Sequence, residues 1–402
     1  MKLRDFKQDF PVLSNSPLIY LDTAASSLTP QPVIDAMNEY YMKYPVNVHR
    51  GVYKISYQAT QAYTQARENI ARFMHAEFEE TVFTRGATSA LNLVALSYGM
   101  QTLKPGDEVI VSELEHHSHV LPWQQVAKKT GAKLIYVPLT DEGRITTDNF
   151  KKVLTNKTKV VALTYVSNVM GYVTPIKEII SLAHKKGAIV SVDAAQAAPH
   201  TKIDVKAMDC DFLAFSAHKM FGPTGVGVLY GKKALLEGMD PLEYGGDMND
   251  NVDKFEGQWK SSPYKFEAGT PPIAEAIAFS AAVDYIEGIG LSEIMQHEQK
   301  LKDKVIAGLE DIDGVTVYNP NAETGIIAFN LDGVHPHDVV SYFDEYHIAL
   351  RAGHHCAQLL IKWLDVVATL RASFYIYNTE ADCERFIDTV KRAREFFTEM
   401  GF

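Results

Sequence analysis

A cysteine directly after two histidines is the most reactive-looking feature of the chain, in the stretch LRAGHHCAQLL at residues 350–360. This thiol, Cys356, has only two companions, Cys210 and Cys383, and their count and wide spacing favour neither a disulfide framework nor a CxxC metal clamp. Three explanations stay open for Cys356: a metal ligand, a packed core residue or a nucleophile. Buried structural thiols are common, so the choice depends on the other reactive side chains.

A lysine that could act as an amine nucleophile lies in FSAHKMFGPTGVG, where Lys219 follows Ser216 and His218 at the end of a predicted strand. Desolvation in a cleft removes the proton from such a lysine and allows it to form a Schiff base. A lone lysine is more often a solvated surface residue. The glycines that follow have the order GxxGxG and lead into a strand, which does not match a dinucleotide site.

Two polar residues follow other predicted strands. Asp193 comes after the apolar run AIVSV, and Asn168 lies in TYVSNVMG. Ligands of open α/β sheets bind beyond the carboxyl ends of the strands, where an amide can bind a cofactor or substrate oxygen. A buried carboxylate is unfavourable unless it meets a cation or several donors. The simpler explanation of Asp193 is a cap of the next helix.

A phosphate cup is predicted from FTRGATSALNLVA, which places Gly86 and Thr88 at the start of a helical pattern. Free backbone N–H groups and the helix dipole favour a phosphate there. Thr88 alone could be a helix cap. Together with Ser216 and His218 it predicts the cup.

Histidines cluster in ELEHHSHV as His116, His117 and His119. Zinc needs three or four ligands in suitable geometry, whereas consecutive histidines project in different directions. An imidazole stacked on a flat cofactor explains one of them equally well. In ATLRASFYIYN, Arg371 offers a planar fork that suits a substrate carboxylate, unless it forms a surface ion pair.

Each of these signals is weak alone, but their combination is specific. A phosphate cup, a buried aspartate, a Schiff-base lysine, a stacking histidine and a carboxylate-binding arginine are what pyridoxal phosphate chemistry on an amino acid requires. The sequence therefore predicts such a site, assembled from strand ends.

The elements that must position these residues alternate from about residue 80 to 230, where short β-branched runs are paired with helical stretches. This alternation predicts a parallel, doubly wound α/β sheet. The strand candidates are EVIVS, KLIYVPL, KVVALTYVS, AIVSVDA, FLAFSA and VGVLYG.

After FEAGTPP, at residues 266–272, long helical stretches take over, with a short strand pair and a final amphipathic helix. We predict a large domain over residues 16–270. A smaller α+β domain is predicted over residues 271–402, with residues 1–15 packed on it.

Composition limits the partners. Of 402 residues, 46% are hydrophobic and 22% charged, which is typical of a globular protein, and the net charge of −11 comes without a basic stripe. Nucleic acid is not an expected partner. No apolar run is long enough to span a bilayer, and the start, MKLRDFKQDFPVL, lacks the apolar core of a signal peptide. We therefore expect no membrane partner and a cytoplasmic protein.

Ten motifs in order along nearly the whole chain resemble the class V, fold-type I pyridoxal-phosphate enzymes, and within them the cysteine desulfurases of the SUF type. The motifs are YLDTAASSLTP, NVHRGVYKIS, RGATSALNLVA, EHHSHVLPW, SNVMGYVTPI, VDAAQAAPH, FSAHKMFGPTGVGVLYG, FEAGTPP, RAGHHCAQ and RASFYIYNT. The resemblance implies the fold-type I architecture, with a large doubly wound, mainly parallel domain and a smaller C-terminal α+β domain that carries the Cys356 loop.

The resemblance also implies the roles of the cofactor residues. Lys219 would hold pyridoxal 5'-phosphate as a Schiff base, Asp193 would pair with the pyridinium nitrogen, and Gln196 would bond the ring oxygen. His116 would stack on the ring and assist proton transfer.

For the phosphate and the substrate, the resemblance implies binding groups from both subunits of a homodimer. The phosphate would be held by Thr88, Ser216 and His218 and by Thr270 of the neighbouring subunit, and the substrate carboxylate would be held by Asn168 and Arg371, with Arg351 nearby.

Some positions depart from the family pattern. Ala87 stands where a second hydroxyl is frequent, and Tyr53 replaces a frequent histidine. GGDMND differs from the usual GGxMI, and CAQLL lacks a common proline. None of these changes removes a group that the chemistry requires.

The function implied is removal of sulfur from L-cysteine, which gives L-alanine and a persulfide on Cys356. The persulfide would pass to a small scaffold-like acceptor protein for iron–sulfur cluster assembly. A thiolate is needed, so we expect His354, His355 or Arg351 to lower the pKa of Cys356.

Two alternatives stay open. A selenocysteine lyase, or another class V aminotransferase or lyase, would keep the cofactor and change the reaction. A zinc-binding sulfur carrier would use HHC together with His335 and His337.

Overall fold

Two sheets organise the computed structural model, which describes residues 6–401. The strands are β1 (Ile19–Tyr20), β2 (Thr81–Thr84), β3 (Glu108–Val111), β4 (Lys133–Tyr136), β5 (Thr158–Thr164), β6 (Ile189–Asp193), β7 (Phe212–Ser216), β8 (Gly227–Gly231), β9 (Asn249–Val252), β10 (Gly257–Trp259), β11 (Val315–Val317), β12 (Ile326–Leu331), β13 (Ile348–Ala349), β14 (Arg351–Gly353) and β15 (Thr369–Ser373).

Helices surround both sheets. They are α1 (Pro11–Ser14), α2 (Gln31–Lys43), α3 (Lys54–Met74), α4 (Ala87–Leu93), α5 (Met100–Thr102), α6 (His117–Thr130), α7 (Thr147–Val153), α8 (Ile176–His184), α9 (Val205–Met208), α10 (Lys233–Gly238), α11 (Ile273–Ile289), α12 (Leu291–Glu310), α13 (Pro336–Glu345), α14 (Gln358–Trp363) and α15 (Glu380–Glu399). A π-helical stretch, Val94–Gly99, joins α4 to α5.

The larger sheet has the order β2-β8-β7-β6-β5-β3-β4. Strands β3 to β7 pair in parallel. The residues of β3, β5, β6 and β7 are mostly buried, as expected where helices cover both faces, whereas the edge strand β4 is partly exposed. The predicted mainly parallel, doubly wound sheet is confirmed. Strand β8 is the exception, since it runs antiparallel to both neighbours. Residues 217–226 between β7 and β8 are too few for a helical crossover, so the chain returns as a hairpin.

The smaller sheet is antiparallel, in the order β11-β12-β15-β14. Strand β1, from near the start of the chain, pairs in parallel with β13 beside it, and its Ile19 is buried in the same core. Helix α11 instead packs on α2 and α3 in the core of the larger sheet. The domain boundary at residue 270 stays a prediction, and residues 1–5 of the segment predicted to join the small domain lie outside the described residues.

The two sheets bring the chemistry-bearing residues together. Asp193 ends β6 and Ser216 ends β7, so both lie at the carboxyl edge of the larger sheet. From the other side, Arg371 lies on β15, and Cys356 lies between β14 and α14. Within residues 6–401, no helix combines the length and apolarity needed to cross a membrane.

A buried ion pair joins the core helix α3 to the segment FEAGTPP. Arg67 donates from its two terminal nitrogens to the two carboxylate oxygens of Glu267, over 2.6 and 2.7 Å. The same carboxylate accepts from the backbone N–H of Phe83 over 2.8 Å, and the guanidinium lies 4.5 Å from the centre of the Phe83 ring. Both charges are therefore satisfied inside the protein, and each is costly without the other.

We expect Glu267→Gln to lower the free energy of unfolding by about 3–5 kcal/mol, because it leaves the buried Arg67 charge without its partner. Glu287→Gln, which breaks an exposed pair with Arg72, is the control and is expected to change it by about 1 kcal/mol or less. Urea unfolding followed by circular dichroism measures both. Equal effects of the two substitutions would contradict this account of the core.

Candidate active site

Lys219 lies in the short helical turn Ala217–Lys219 that follows β7. Desolvation lowers the pKa of its ammonium to about 8, against the opposing effect of the nearby Asp193 carboxylate. The free amine is therefore the minor form of the side chain at pH 7 and about half of it at pH 8. This is the state in which a lysine acts as a nucleophile or base.

Asp193 is buried at the end of β6, where its Oδ1 accepts a hydrogen bond from the backbone N–H of Ala195 over 2.9 Å. A turn rather than an α-helix follows, so the helix-cap explanation of Asp193 is wrong. Its negative charge acts on both Lys219 and His116. Gln196 is also buried, and its Nε2 donates to the carbonyl oxygen of Ala24 over 2.6 Å.

His116 caps α6, and its Nδ1 accepts from the backbone N–H of Ser118 over 3.1 Å. This bond fixes the ring and leaves the proton of the neutral imidazole on Nε2. Burial, followed by the positive charge of Lys219, lowers the pKa of His116 to about 4. The ring is therefore neutral near pH 7.

The predicted phosphate residues meet at the start of α4. The backbone N–H of Ala87 donates to Ser216 Oγ over 2.7 Å, while Thr88 Oγ1 lies 2.7 Å from Ser118 Oγ. Gly86, with φ of 146°, occupies the cap position, so Thr88 is not the cap. A Cβ at Gly227 of β8 would lie 2.6 Å from the Gly86 Cα, so only glycine allows this close approach.

The remaining two phosphate candidates border this region. His218 Nδ1 lies 3.3 Å from Ser26 Oγ, and burial lowers the pKa of its imidazole to about 4. Thr270 is exposed and accepts a weak hydrogen bond from Asn47 over 3.4 Å. In this single chain it lines a surface cavity of about 520 Å³ together with Thr88.

Arg371 is buried on β15 and is only partly paired. It donates to the carbonyl oxygen of Asn168 over 2.9 Å and to Asp22 over 3.2 Å, but its Nε is buried without a partner. Arg351 shares the same aspartate, at 2.8 Å. Two cations thus share one carboxylate, which leaves a local positive charge for an incoming anion.

Sequence reasoning missed Asp22, although it lies inside the motif YLDTAASSLTP. The available signal was a carboxylate directly after a short apolar strand, the same signal that drew attention to Asp193. Its partners lie 329 and 349 residues further along the chain. No local pattern shows such a distant pairing.

Cys356 is exposed, and both it and His355 adopt left-handed backbone conformations, with φ of 54° and 51°. His355 is buried with Nε2 2.9 Å from Thr369 Oγ1, and burial, followed by the Arg371 charge, lowers its pKa to about 3. The expectation that His355 supplies positive charge to the thiolate is therefore wrong. Arg351 carries a positive charge close to Cys356; its pKa is raised chiefly by Asp22, with smaller contributions from Tyr20 and Cys356.

Asn168 does not present its side-chain amide to open space. Its Nδ2 donates to the carbonyl oxygen of His355 over 2.7 Å, which ties the Cys356 loop to the larger sheet. Its substrate-binding role stays a prediction. Nowhere among residues 6–401 do three or more His, Cys, Asp or Glu side chains lie in a group that could hold a metal ion.

Comparisons with known proteins agree on one family. Residues 19–386 match the family described as aminotransferase class-V. A probable cysteine desulfurase of Halalkalibacterium halodurans is 52% identical over 402 residues, which cover 99% of each chain. One from Staphylococcus epidermidis is 48% identical over 398 residues, covering 97% of this chain and 96% of the relative.

Solved structures give the same result. The cysteine desulfurase CsdA of Escherichia coli superposes with a TM-score of 0.93 at 38% identity, covering 98% of this chain and all of the other (100%). The apo cysteine desulfurase of Thermococcus onnurineus NA1 has a TM-score of 0.94 at 40% identity, with 98% of this chain and 99% of the other covered.

The lowered pKa of Lys219 can be measured by competitive acetylation of protein freed of bound small molecules. We expect the acetylation rate of Lys219 to reach half its maximum near pH 8, because desolvation disfavours the ammonium. Lys206 is the control; its pKa is raised by Glu77, so its rate should still be rising above pH 10.5. Peptide mass spectrometry across pH gives both curves, and coincident curves would refute the desolvated amine.

Proposed function

We propose, for a chain that belongs to the aminotransferase class-V family and within it to the cysteine desulfurases, that Cys356 receives the sulfur of L-cysteine as a persulfide. The protein is a pyridoxal-phosphate enzyme that takes sulfur from L-cysteine, forms L-alanine and serves iron–sulfur cluster assembly. One observation supports Cys356 above all. Its side chain is exposed, whereas Cys210 and Cys383 are buried. It lies on a strained turn near Arg351 and Arg371.

The side chains at the strand ends fit pyridoxal 5'-phosphate. Lys219 offers a desolvated amine and Asp193 a buried carboxylate. The backbone at Gly86, which begins the helix of the predicted phosphate residues, packs directly against Gly227. When bound, the cofactor supplies an electron sink for negative charge at the substrate Cα. The residues that would hold it are Lys219, Asp193, Gln196, His116, Thr88, Ser216, His218 and Thr270.

The substrate carboxylate would bind Arg371. The Nε of Arg371 is buried without a partner, and Arg351 and Arg371 together carry one positive charge more than Asp22 neutralises. Both features favour an anion beside Arg371. Asn168 and Arg351 lie next to Arg371 and would complete the carboxylate site.

Proton movements would fall to two groups with lowered pKa values. Lys219 as a free amine would take the proton from Cα, since about pH 8 is close to the working pH. His116 is neutral there and would exchange a proton through Nε2 at a later step.

Sulfur transfer needs no external oxidant or reductant. The Cys356 thiolate attacks the sulfur of the substrate; an S–S bond forms, and the bond between that sulfur and Cβ breaks. The electron pair of the broken bond stays with the carbon skeleton, where a proton completes the methyl group of alanine. The products are alanine and a persulfide on Cys356, which passes the outer sulfur to an acceptor.

We also propose that the protein belongs to the SUF system, that it passes sulfur to a small scaffold-like acceptor protein, that it forms a homodimer and that it is cytoplasmic. A homodimer, in which Thr270 serves the phosphate site of the neighbouring subunit, is supported by large apolar side chains left exposed, among them Val52 (87% exposed) and Phe255 (93%). A reducing compartment is supported by three cysteines that are all free thiols.

We expect Cys356→Ala to abolish persulfide formation and to leave the visible absorbance of the bound cofactor intact, because the cofactor residues lie elsewhere. Cys210→Ala, a buried thiol remote from the site, is the matched control and should retain sulfur transfer. Alanine, sulfide and the mass of the peptide around residue 356 are measured after mixing with L-cysteine. Normal turnover to a thiol acceptor in the Cys356 variant would refute the proposed nucleophile.

We expect Arg371→Gln to raise KM for L-cysteine by roughly 10- to 100-fold, the loss expected for a charged hydrogen-bonding partner of a carboxylate. Arg371→Lys keeps the charge without the planar guanidinium group, so its KM should lie between that of the wild type and that of the Arg371→Gln variant. Arg392→Gln breaks an exposed pair on α15 and serves as control. An unchanged KM in the Arg371→Gln variant would exclude Arg371 from carboxylate binding.

A further inference from the structure

The loop around Cys356, residues 354–358, is fastened to the larger sheet by three hydrogen bonds. The backbone N–H of His117 donates to the Cys356 carbonyl oxygen over 2.7 Å, and the backbone N–H of Gln358 donates to His117 Nε2 over 3.1 Å. The third bond runs from Asn168 Nδ2 to the His355 carbonyl oxygen, over 2.7 Å. His117 thus contacts the chain at the carbonyl group of Cys356 and again two residues further on, whereas Asn168 holds the residue before Cys356.

These bonds hold an unfavourable backbone in place. His355 and Cys356 are consecutive residues with a Cβ and with φ of 51° and 54°, in the left-handed region that favours glycine. Such a conformation persists only where the surroundings fix it. The three hydrogen bonds contribute to fixing the turn, together with the bonds of the His354 and His355 rings to Val367 and Thr369. Of the two side chains in the three bonds, Asn168 and His117, only the His117 imidazole can change its charge.

We propose that His117 is a positioning residue for sulfur transfer: its neutral imidazole fixes the Cys356 loop, and its protonation releases the loop. Nε2 accepts the Gln358 N–H only while it carries no proton. A protonated ring would point a second donor at that N–H, and the bond would be lost. The inference rests on the proposed function, in which Cys356 accepts the sulfur.

The surroundings of His117 keep the loop fixed at neutral pH. Burial, followed by the charge of His354, lowers the pKa of His117. The ionisable groups that face it are His116, whose ring centre is 6.3 Å away, and His354 and Cys356 on the fastened loop. The bond from Gln358 is therefore present above the pKa of His117 and is lost as the pH falls through it.

The test uses the holoenzyme with two substitutions at His117. In His117→Gln, the side-chain carbonyl oxygen reaches a position similar to that of Nε2 and accepts the Gln358 N–H without titrating. His117→Leu offers no acceptor. His354→Gln is the matched control, since His354 lies on the same loop and bonds instead to the carbonyl oxygen of Val367.

The main readout is amide hydrogen exchange of the peptide over residues 354–358, corrected for the intrinsic effect of pH and measured without substrate. For the wild type we expect exchange to be about three- to tenfold faster at acid than at neutral pH, the effect of losing one hydrogen bond. His117→Leu should show the fast exchange at all pH values, and His117→Gln the slow exchange. The His354→Gln control should loosen in acid to the same extent as the wild type, with its transition at somewhat higher pH, because the His354 charge that lowers the pKa of His117 is gone.

A second readout is the alanine formation rate of His117→Gln divided by that of the wild type, which cancels the titration of groups other than His117. We expect this ratio to be near one at neutral pH and to rise by a similar factor as the pH falls.

Slow exchange in His117→Leu, or the same acid-induced loosening in His117→Gln as in the wild type, would overturn the proposal. A wild type that forms no alanine and no persulfide would instead contradict the proposed function, because loop exchange is measured without turnover.

Discussion

The structure around the site depends on one shared carboxylate. Asp22 follows β1, which pairs with β13, and it binds Arg351 of β14 and Arg371 of β15. Without Asp22, two guanidinium groups would face each other next to a buried sheet, which is electrostatically unfavourable. The carboxylate therefore brings the early strand and the C-terminal strands together. It neutralises only one of the two positive charges, and an amino-acid carboxylate can neutralise the other.

Desolvation prepares the rest of the site in a consistent direction. It lowers the pKa of Lys219 to about 8 and that of His116 to about 4, so at pH 8 about half of Lys219 is the free amine beside a neutral imidazole. Both shifts favour the uncharged form of a base. Asp193 opposes them, and its negative charge limits how far the pKa of either group falls. The pKa values of Lys219 and His116 are therefore set by two opposing effects, their burial at the strand ends and the negative charge of Asp193.

Much of this arrangement could be predicted from the sequence. Apolar runs located β3 to β8, the amphipathic pattern at the end of the chain located α15, and each strand-end motif indicated a candidate residue. The apolar pattern of β8 does not show its direction, but the short connection from residue 217 to 226 does, because it leaves no room for a helical crossover. Local pattern could not show the partner of β1 or the role of Asp22, since both contacts join residues more than three hundred positions apart. The neutrality of His355 depends on burial, which two adjacent histidines do not reveal.

The Arg67–Glu267 pair has a consequence for the homodimer proposed above. Glu267 is fixed by α3 and by the backbone of β2, and Thr270 follows only three residues later. The surface that carries Thr270 is therefore shaped by the interior of its own chain before any encounter. If two chains associate through this surface, little conformational entropy is lost, because the surface is already ordered. The affinity of the dimer would then depend on shape complementarity and not on the cost of folding a segment.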